Sequence, residues 1–178
     1  MRVLMTGGGT AGHINPALAI ARLIEENFAD TEILFVGATG RMETTLVPKA
    51  GYPIKTMPMQ GFYRKPTPKN FVRNLKTVRY VLAAGRTSRD ILQEFRPDIA
   101  IGTGGYVCYP VLKAAAQLGI PTIVHESNAV PGLTTKMLAG AVDRILVGFE
   151  ESKQHYSEQE KVVVTGTPVR GAFTACSK

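Results

Sequence analysis

The chain has 178 residues, 44% of them hydrophobic and 20% charged, which fits one domain with its own core and excludes wholesale disorder. Its two cysteines, Cys108 and Cys176, are far apart and lack metal-ligand spacing, so they read as reduced thiols and exclude a disulfide-built scaffold. The net charge of +7 is segregated: Thr44 to Arg89 holds ten Lys or Arg and no acid, while the rest of the chain carries 11 basic and 14 acidic residues.

Taken in chain order, short apolar runs alternate with helical patterns. Val3-Leu4-Met5 is expected to be a buried strand, and Ile14 to Phe28 a helix. Ile33 to Val36 is strand-like, and Met42 to Ala50 reads as a short helix closed by Gly51. Ile54 to Met57 is a weaker strand. Asn70 to Phe95 reads as a long helix with a break expected near Gly85, and Pro97 follows it. The remaining strands are Ile99 to Ile101, Ile120 to Val124, Ile145 to Val147 and Val162 to Val164. Helices are expected at Val111 to Leu118 and Thr134 to Leu138. This alternation predicts an α/β fold, a Rossmann-like, doubly wound parallel sheet. Ligands in such sheets bind at the carboxyl ends of the strands.

Two glycine loops follow strands and open helices. The first, Gly7-Gly8-Gly9-Thr10-Ala11-Gly12, satisfies G-x-G-x-x-G, in which glycines permit a tight turn and the helix start offers free N–H groups to an anion. A nicotinamide site would also need an acid at the end of the second strand, and none stands there before Glu43. The second loop is Gly102-Thr103-Gly104-Gly105-Tyr106. Two such loops can hold two parts of one anion, with a diphosphate the natural candidate, or can simply allow close helix–strand packing.

His13 follows the first loop, and a neutral imidazole in a cleft can accept a proton. His125-Glu126-Ser127-Asn128 follows a strand, so Glu126 can orient His13, act as a base, bind sugar hydroxyls, or serve as a salt bridge or helix cap. Gly166-Thr167-Pro168-Val169-Arg170 follows the last strand. No metal-ligand cluster, Asp-x-Asp or serine nucleophile elbow is present, so no metal and no cofactor is expected.

In the basic segment, Phe71, Leu75, Val78 and Leu82 fall at i, i+4, i+7 and i+11, an apolar stripe. Phe62, Tyr63, Arg64, Lys65, Lys69, Arg73, Lys76 and Arg79 accompany it. A basic amphipathic stretch with aromatics fits an anionic membrane surface, or the stripe packs on the sheet. Nucleic acid ranks lower, because no recognised module is present.

Together these residues resemble the MurG family of bacterial glycosyltransferases. The resemblance rests on Gly8 to His13 (the family's GGTGGH), Gly102 to Tyr106 (G-x-GGY), His125-Glu126-x-Asn128, Arg41-Met42-Glu43 with Leu46 to Lys49, and the closing G-x-PVR. Ala11 departs from the usual glycine, and Cys108-Tyr109 from usual small residues, which predicts a narrower pocket wall. The resemblance implies the N-terminal half of a GT-B enzyme. Residues 1–165 would be the acceptor-binding domain, and 166–178 would start the linker to a donor domain. The implied reaction is inverting, metal-free β-1,4 transfer of GlcNAc from UDP-GlcNAc to undecaprenyl-diphosphate-MurNAc-pentapeptide, at the cytoplasmic face of the bacterial membrane. His13 and Glu126 are then the candidates to activate the acceptor. Gly8, Gly9, Gly104, Gly105 and Tyr106 would hold its diphosphate and sugar, and Thr10, Ala11, Gly12, Asn128 and Arg170 would reach the donor. The half-length chain is expected to lack activity alone. Rival readings are a different lipid glycosyltransferase, such as a diacylglycerol sugar transferase, or a non-catalytic membrane- or phosphate-binding module.

Overall fold

A computed structural model describes residues 1–59 and 67–169, with the helix from residue 68 to residue 76, and residue 78, described as backbone only. Phe62, Tyr63, Arg64, Lys65, Arg170 and Cys176 therefore lie outside the described residues. So do the side chains of Lys69, Arg73 and Lys76.

Seven strands form one parallel sheet in the order β3-β2-β1-β4-β5-β6-β7. They are β1 Arg2–Thr6, β2 Glu32–Ala38, β3 Ile54–Met57, β4 Ile99–Gly102, β5 Thr122–Glu126, β6 Arg144–Val147 and β7 Val162–Val164. The helices are α1 Ala11–Asn27, α2 Glu43–Lys49, α3 Pro68–Phe95, α4 Cys108–Gln117 and α5 Leu133–Leu138. Two short 3₁₀ turns at Glu150–His155 and Gln159–Lys161 were not foreseen from the sequence.

Side chains alternate along each strand, and each face has its own core. On one face, Val3, Met5, Ile33, Phe35 and Ile101 pack against Ile14, Ala17, Leu18 and Ala21 of α1 and Val47 of α2. On the other, Leu4, Leu34, Val36, Val124 and Ile145 meet α3, α4 and α5 through Leu92, Phe95, Val111, Leu112 and Leu138. With both faces covered, the strands carry near-continuous apolar runs.

Several boundaries differ from the sequence reading, among them the start of α4 at Cys108 rather than Val111 and of β5 at Thr122 rather than Ile120, and three differences bear on the strand ends and on α3. Helix α1 begins at Ala11 rather than Ile14, because its first turn lies above the packed face and carries no apolar periodicity. Pro16 consequently sits in the second turn. Strand β5 runs to Glu126 rather than stopping at Val124, because His125 and Glu126 still pair with Leu146 and Val147 of β6. Helix α3 continues through Gly85 without interruption. Its buried positions are Thr77, Ala84, Ser88, Ile91, Leu92 and Phe95.

Leu4 is fully buried in the central strand. Leu4→Ala is expected to cost about 2–5 kcal/mol of stability, measured by urea unfolding. A loss below about 1 kcal/mol would mean that the core on this face is not packed around β1.

Candidate active site at the strand ends

The two glycine loops meet. β1 and β4 are neighbours, and the chain leaves them towards opposite faces, so their carboxyl ends open onto a shared crevice. Gly8 N–H donates to the Gly104 carbonyl at 3.3 Å, and Thr103 N–H donates to the Thr6 carbonyl at 2.9 Å. Cys108 ties them from below: its thiol lies 3.1 Å from the Thr6 carbonyl and 2.9 Å from the Gly104 carbonyl. Burial is the main reason this thiol's pKa is pushed up to about 12. Cys108 is therefore a strut in the core and lines no pocket wall, contrary to the sequence expectation. Tyr109 lies instead in a groove between α3 and α4. Ala11 takes no left-handed conformation; in this loop that falls to Gly9, with φ of 84°.

His13 is seated between the loops. Its Nδ1 lies 3.1 Å from the Gly8 carbonyl and 3.3 Å from Thr10 Oγ1, and its own carbonyl accepts from Thr103 Oγ1 at 2.7 Å. A carbonyl can only accept, so in this hydrogen bond Nδ1 is the donor. The ring rests over Gly104, where a Cβ would come within 2.7 Å of His13 Cδ2. Glycine at 104 thus makes room for the imidazole.

Three of the loop glycine amides are already bonded within the protein. The Gly8 and Gly9 amides are taken by the protein, going to the Gly104 carbonyl and to Glu43. These two glycines shape the loop and leave no amide for a diphosphate. The Gly104 amide also has a protein partner, the Cys108 sulfur at 3.3 Å, and Gly104 is buried, while Gly105 is half-buried and Tyr106 is 46% exposed. Thr10, Gly12 and Asn128 are exposed along the same edge, with Ala11 partly so.

Glu126 does not have the surroundings of a base. It is 5% exposed, and its oxygens accept four hydrogen bonds: from Asn128 N–H at 3.0 Å, Asn128 Nδ2 at 2.7 Å, Gly132 N–H at 2.9 Å and Thr135 Oγ1 at 2.8 Å. Burial raises its carboxyl pKa, but these hydrogen bonds outweigh burial and hold it below the ordinary value. Glu126 anchors the segment that presents Asn128. Among the described residues no hydrogen bond joins it to His13. The β1 and β5 ends are two strand spacings apart, about 10 Å.

Two residues beyond the sequence candidates complete the frame. His125 is fully buried; its Nε2 donates to the Gly166 carbonyl at 3.0 Å. Burial, only partly opposed by that carbonyl and by Glu126, lowers its pKa. Glu43 is also fully buried. Its Oε1 accepts from Ala38 N–H and its Oε2 from Gly9 N–H, both at 2.9 Å. An acid does reach the end of β2, then, five residues beyond the strand. Both Glu43 oxygens face the protein's own backbone, which leaves neither directed at a ribose.

The parallel sheet, with its crevice between the ends of β1 and β4 and a glycine loop on each side, defines a Rossmann-like domain. Residues 3–147 match the glycosyltransferase family 28 N-terminal domain, and the chain belongs to that family. It is 49% identical over all 178 residues to a UDP-N-acetylglucosamine--N-acetylmuramyl-(pentapeptide) pyrophosphoryl-undecaprenol N-acetylglucosamine transferase of Thermoanaerobacter sp. (strain X514), covering 48% of that protein. It is 44% identical to the transferase of the same name from Acetivibrio thermocellus, covering 47% of it. The crystal structure of Acinetobacter baumannii MurG superposes with a TM-score of 0.77 at 26% identity, over 99% of this chain and 50% of that one. The chain thus spans about half the length of the curated relatives it matches.

The buried pair sets a pH response. His125 has a folded pKa below its ordinary 6.5, so the unfolded chain binds the extra proton and stability falls as pH drops below that value. Glu126 has a folded pKa below its ordinary 4.5, so its contribution is present above 4.5 and lost as pH falls through the lower folded value. Urea midpoints taken from pH 8 to pH 3 should show both losses. Glu126→Gln should shrink the acid limb, to which Asp143, held low by its hydrogen bonds from Thr122, also contributes, and an unchanged acid limb in that variant would refute the assignment.

Proposed function

We propose that this chain is the acceptor-binding half, residues 1–165, of a transferase that moves GlcNAc from UDP-GlcNAc to undecaprenyl-diphosphate-MurNAc-pentapeptide. In this reading residues 166–178 begin the linker to a donor domain. The observation that carries it is the seating of His13, with Nε2 unoccupied by any described protein group, between two glycine loops at the switch point of the sheet. Nε2 takes the proton of the acceptor hydroxyl as that oxygen bonds to the anomeric carbon of the donor sugar. The bond from that carbon to the diphosphate breaks on the opposite side, UDP departs with the electron pair, and the configuration inverts. Catalysis of this kind contributes roughly 10²–10⁴-fold.

Gly105 and Tyr106 hold the acceptor diphosphate and sugar, while Gly8, Gly9 and Gly104 shape the loops and seat His13. Thr10, Ala11, Gly12, Asn128 and Arg170 approach the donor, and Glu126 positions Asn128. No step is assigned to a metal or cofactor. His13→Ala, in a protein of the relatives' full length, should lose at least about 10²-fold in transfer while still binding a soluble lipid-diphosphate acceptor analogue by calorimetry. Full activity in that variant would remove His13 from the chemistry. Transfer by the 178-residue chain alone would overturn the division of labour between halves.

We also infer peripheral attachment to the cytoplasmic membrane face through α3 and the basic segment. Among the described residues no helix is long and apolar enough to cross a membrane. Leu82 is 69% exposed and turned away from the buried face of α3, so this member of the apolar stripe does not pack on the sheet. It borders the groove between α3 and α4, of about 240 Å³, with Arg86, Arg89 and Lys113. Arg79 is exposed nearby on the same helix. Each cation at an anionic surface is worth about 1 kcal/mol. Leu82→Asp combined with Arg79→Ser and Arg86→Ser should therefore weaken binding to phosphatidylglycerol vesicles by about 30-fold or more. Equal cosedimentation of variant and wild type would refute this face.

A further inference from the structure

Glu43 lies at the back of the first glycine loop, outside the crevice itself. Its carboxylate is fully buried, and among the described residues no Lys or Arg forms an ion pair with it. Burying an unpaired carboxylate is costly, and here it is met by two backbone N–H groups. The surroundings are shaped for it. A Cβ on Gly8 would overlap Glu43 Oε1, and one on Gly37 would lie 2.6 Å from Glu43 Cγ. Two glycines thus clear space for one acid, which a merely tolerated surface glutamate would not need.

The Gly9 N–H that donates to Glu43 and the Gly8 carbonyl facing His13 Nδ1 belong to the same peptide group. An amide that donates to an anion becomes a stronger acceptor at its oxygen, because hydrogen-bonded groups in series polarise one another. We propose that Glu43 is a positioning residue that acts on His13 through the Gly8–Gly9 peptide. The carboxylate fixes the plane of that peptide and strengthens its carbonyl, which in turn holds the hydrogen on Nδ1 and the lone pair on Nε2. The arrangement is a carboxylate–imidazole pair with one peptide group inserted between its members. It also explains why Gly9 has no amide left for a phosphate. The inference rests on the reading of His13 as the base, but it makes a statement about the ring that does not require any substrate.

The test is the tautomer of His13, read from its ring ¹⁵N shifts in the 178-residue chain at a pH where the ring is neutral. The chain has three histidines, and His13→Gln assigns the signals. Wild type should hold His13 in the Nδ1–H form, whereas imidazole in water favours Nε2–H. Glu43→Gln, which can offer only one acceptor oxygen, should shift the ratio towards Nε2–H in a chain that still folds by amide spectra. A wild-type Nε2–H tautomer, or a folded E43Q with an unaltered ratio, overturns the proposal. Should E43Q not fold, the wild-type Gly9 amide proton decides: a far-downfield shift supports the carboxylate bond, and an ordinary shift overturns it. None of these readings involves donor or acceptor, so failure here leaves the transferase reading standing. Loss of transfer in His13→Ala tests that reading separately.

Discussion

β1 lies between β2 and β4, parallel to both. Crossovers between parallel strands have a fixed hand, so α1 and α2 go to one face of the sheet and α3 and α4 to the other. Neither helix layer roofs the space between the ends of β1 and β4. Every backbone group there must still find a partner or face solvent. Both loops answer by bonding to each other: Gly8 to Gly104, Thr103 to Thr6, and the Thr103 hydroxyl to the His13 carbonyl. The crevice is open because of topology, and it is rigid because its walls are cross-linked.

Two buried carboxylates play parallel parts at this edge. Glu43 holds the loop after β1 from behind, and Glu126 holds the segment after β5 by four hydrogen bonds. Neither is paired with a cation among the described residues. Each is stabilised instead by backbone N–H groups, with side-chain donors added at Glu126. This is the less costly way to bury a charge when the donors cannot be satisfied elsewhere. The result is a preorganised edge, in which exposed Thr10, Tyr106 and Asn128 stand on supports that do not need a ligand to form.

The fold was legible because parallel strands covered on both faces must be apolar along their length, and the helices between them carry a different period. Boundaries were less legible where residues without an apolar pattern continue an element. Ala11 to His13, which carry no apolar period, and the buried but polar His125-Glu126 are two cases, and both lie at the strand-end edge. Leu82 was legible as part of an apolar stripe, but which side of α3 packs was not. Its described buried positions between Thr77 and Ser88 are the small residues Thr77, Ala84 and Ser88, which no apolar period marks.

The sequence by itself determined the alternation of strands and helices, the two glycine loops with His13 beside the first, and the segregation of basic charge. Those features are local in the chain, or are sums over it. The tertiary structure alone decided what each polar group faces. It put Glu43 behind Gly9, filled both oxygens of Glu126, buried Cys108 under the loops and gave His13 a carbonyl that selects its tautomer. Hydrogen-bond partners are set by distances between residues 2 to 102 positions apart in sequence, and no pattern of residue types along the chain encodes those distances.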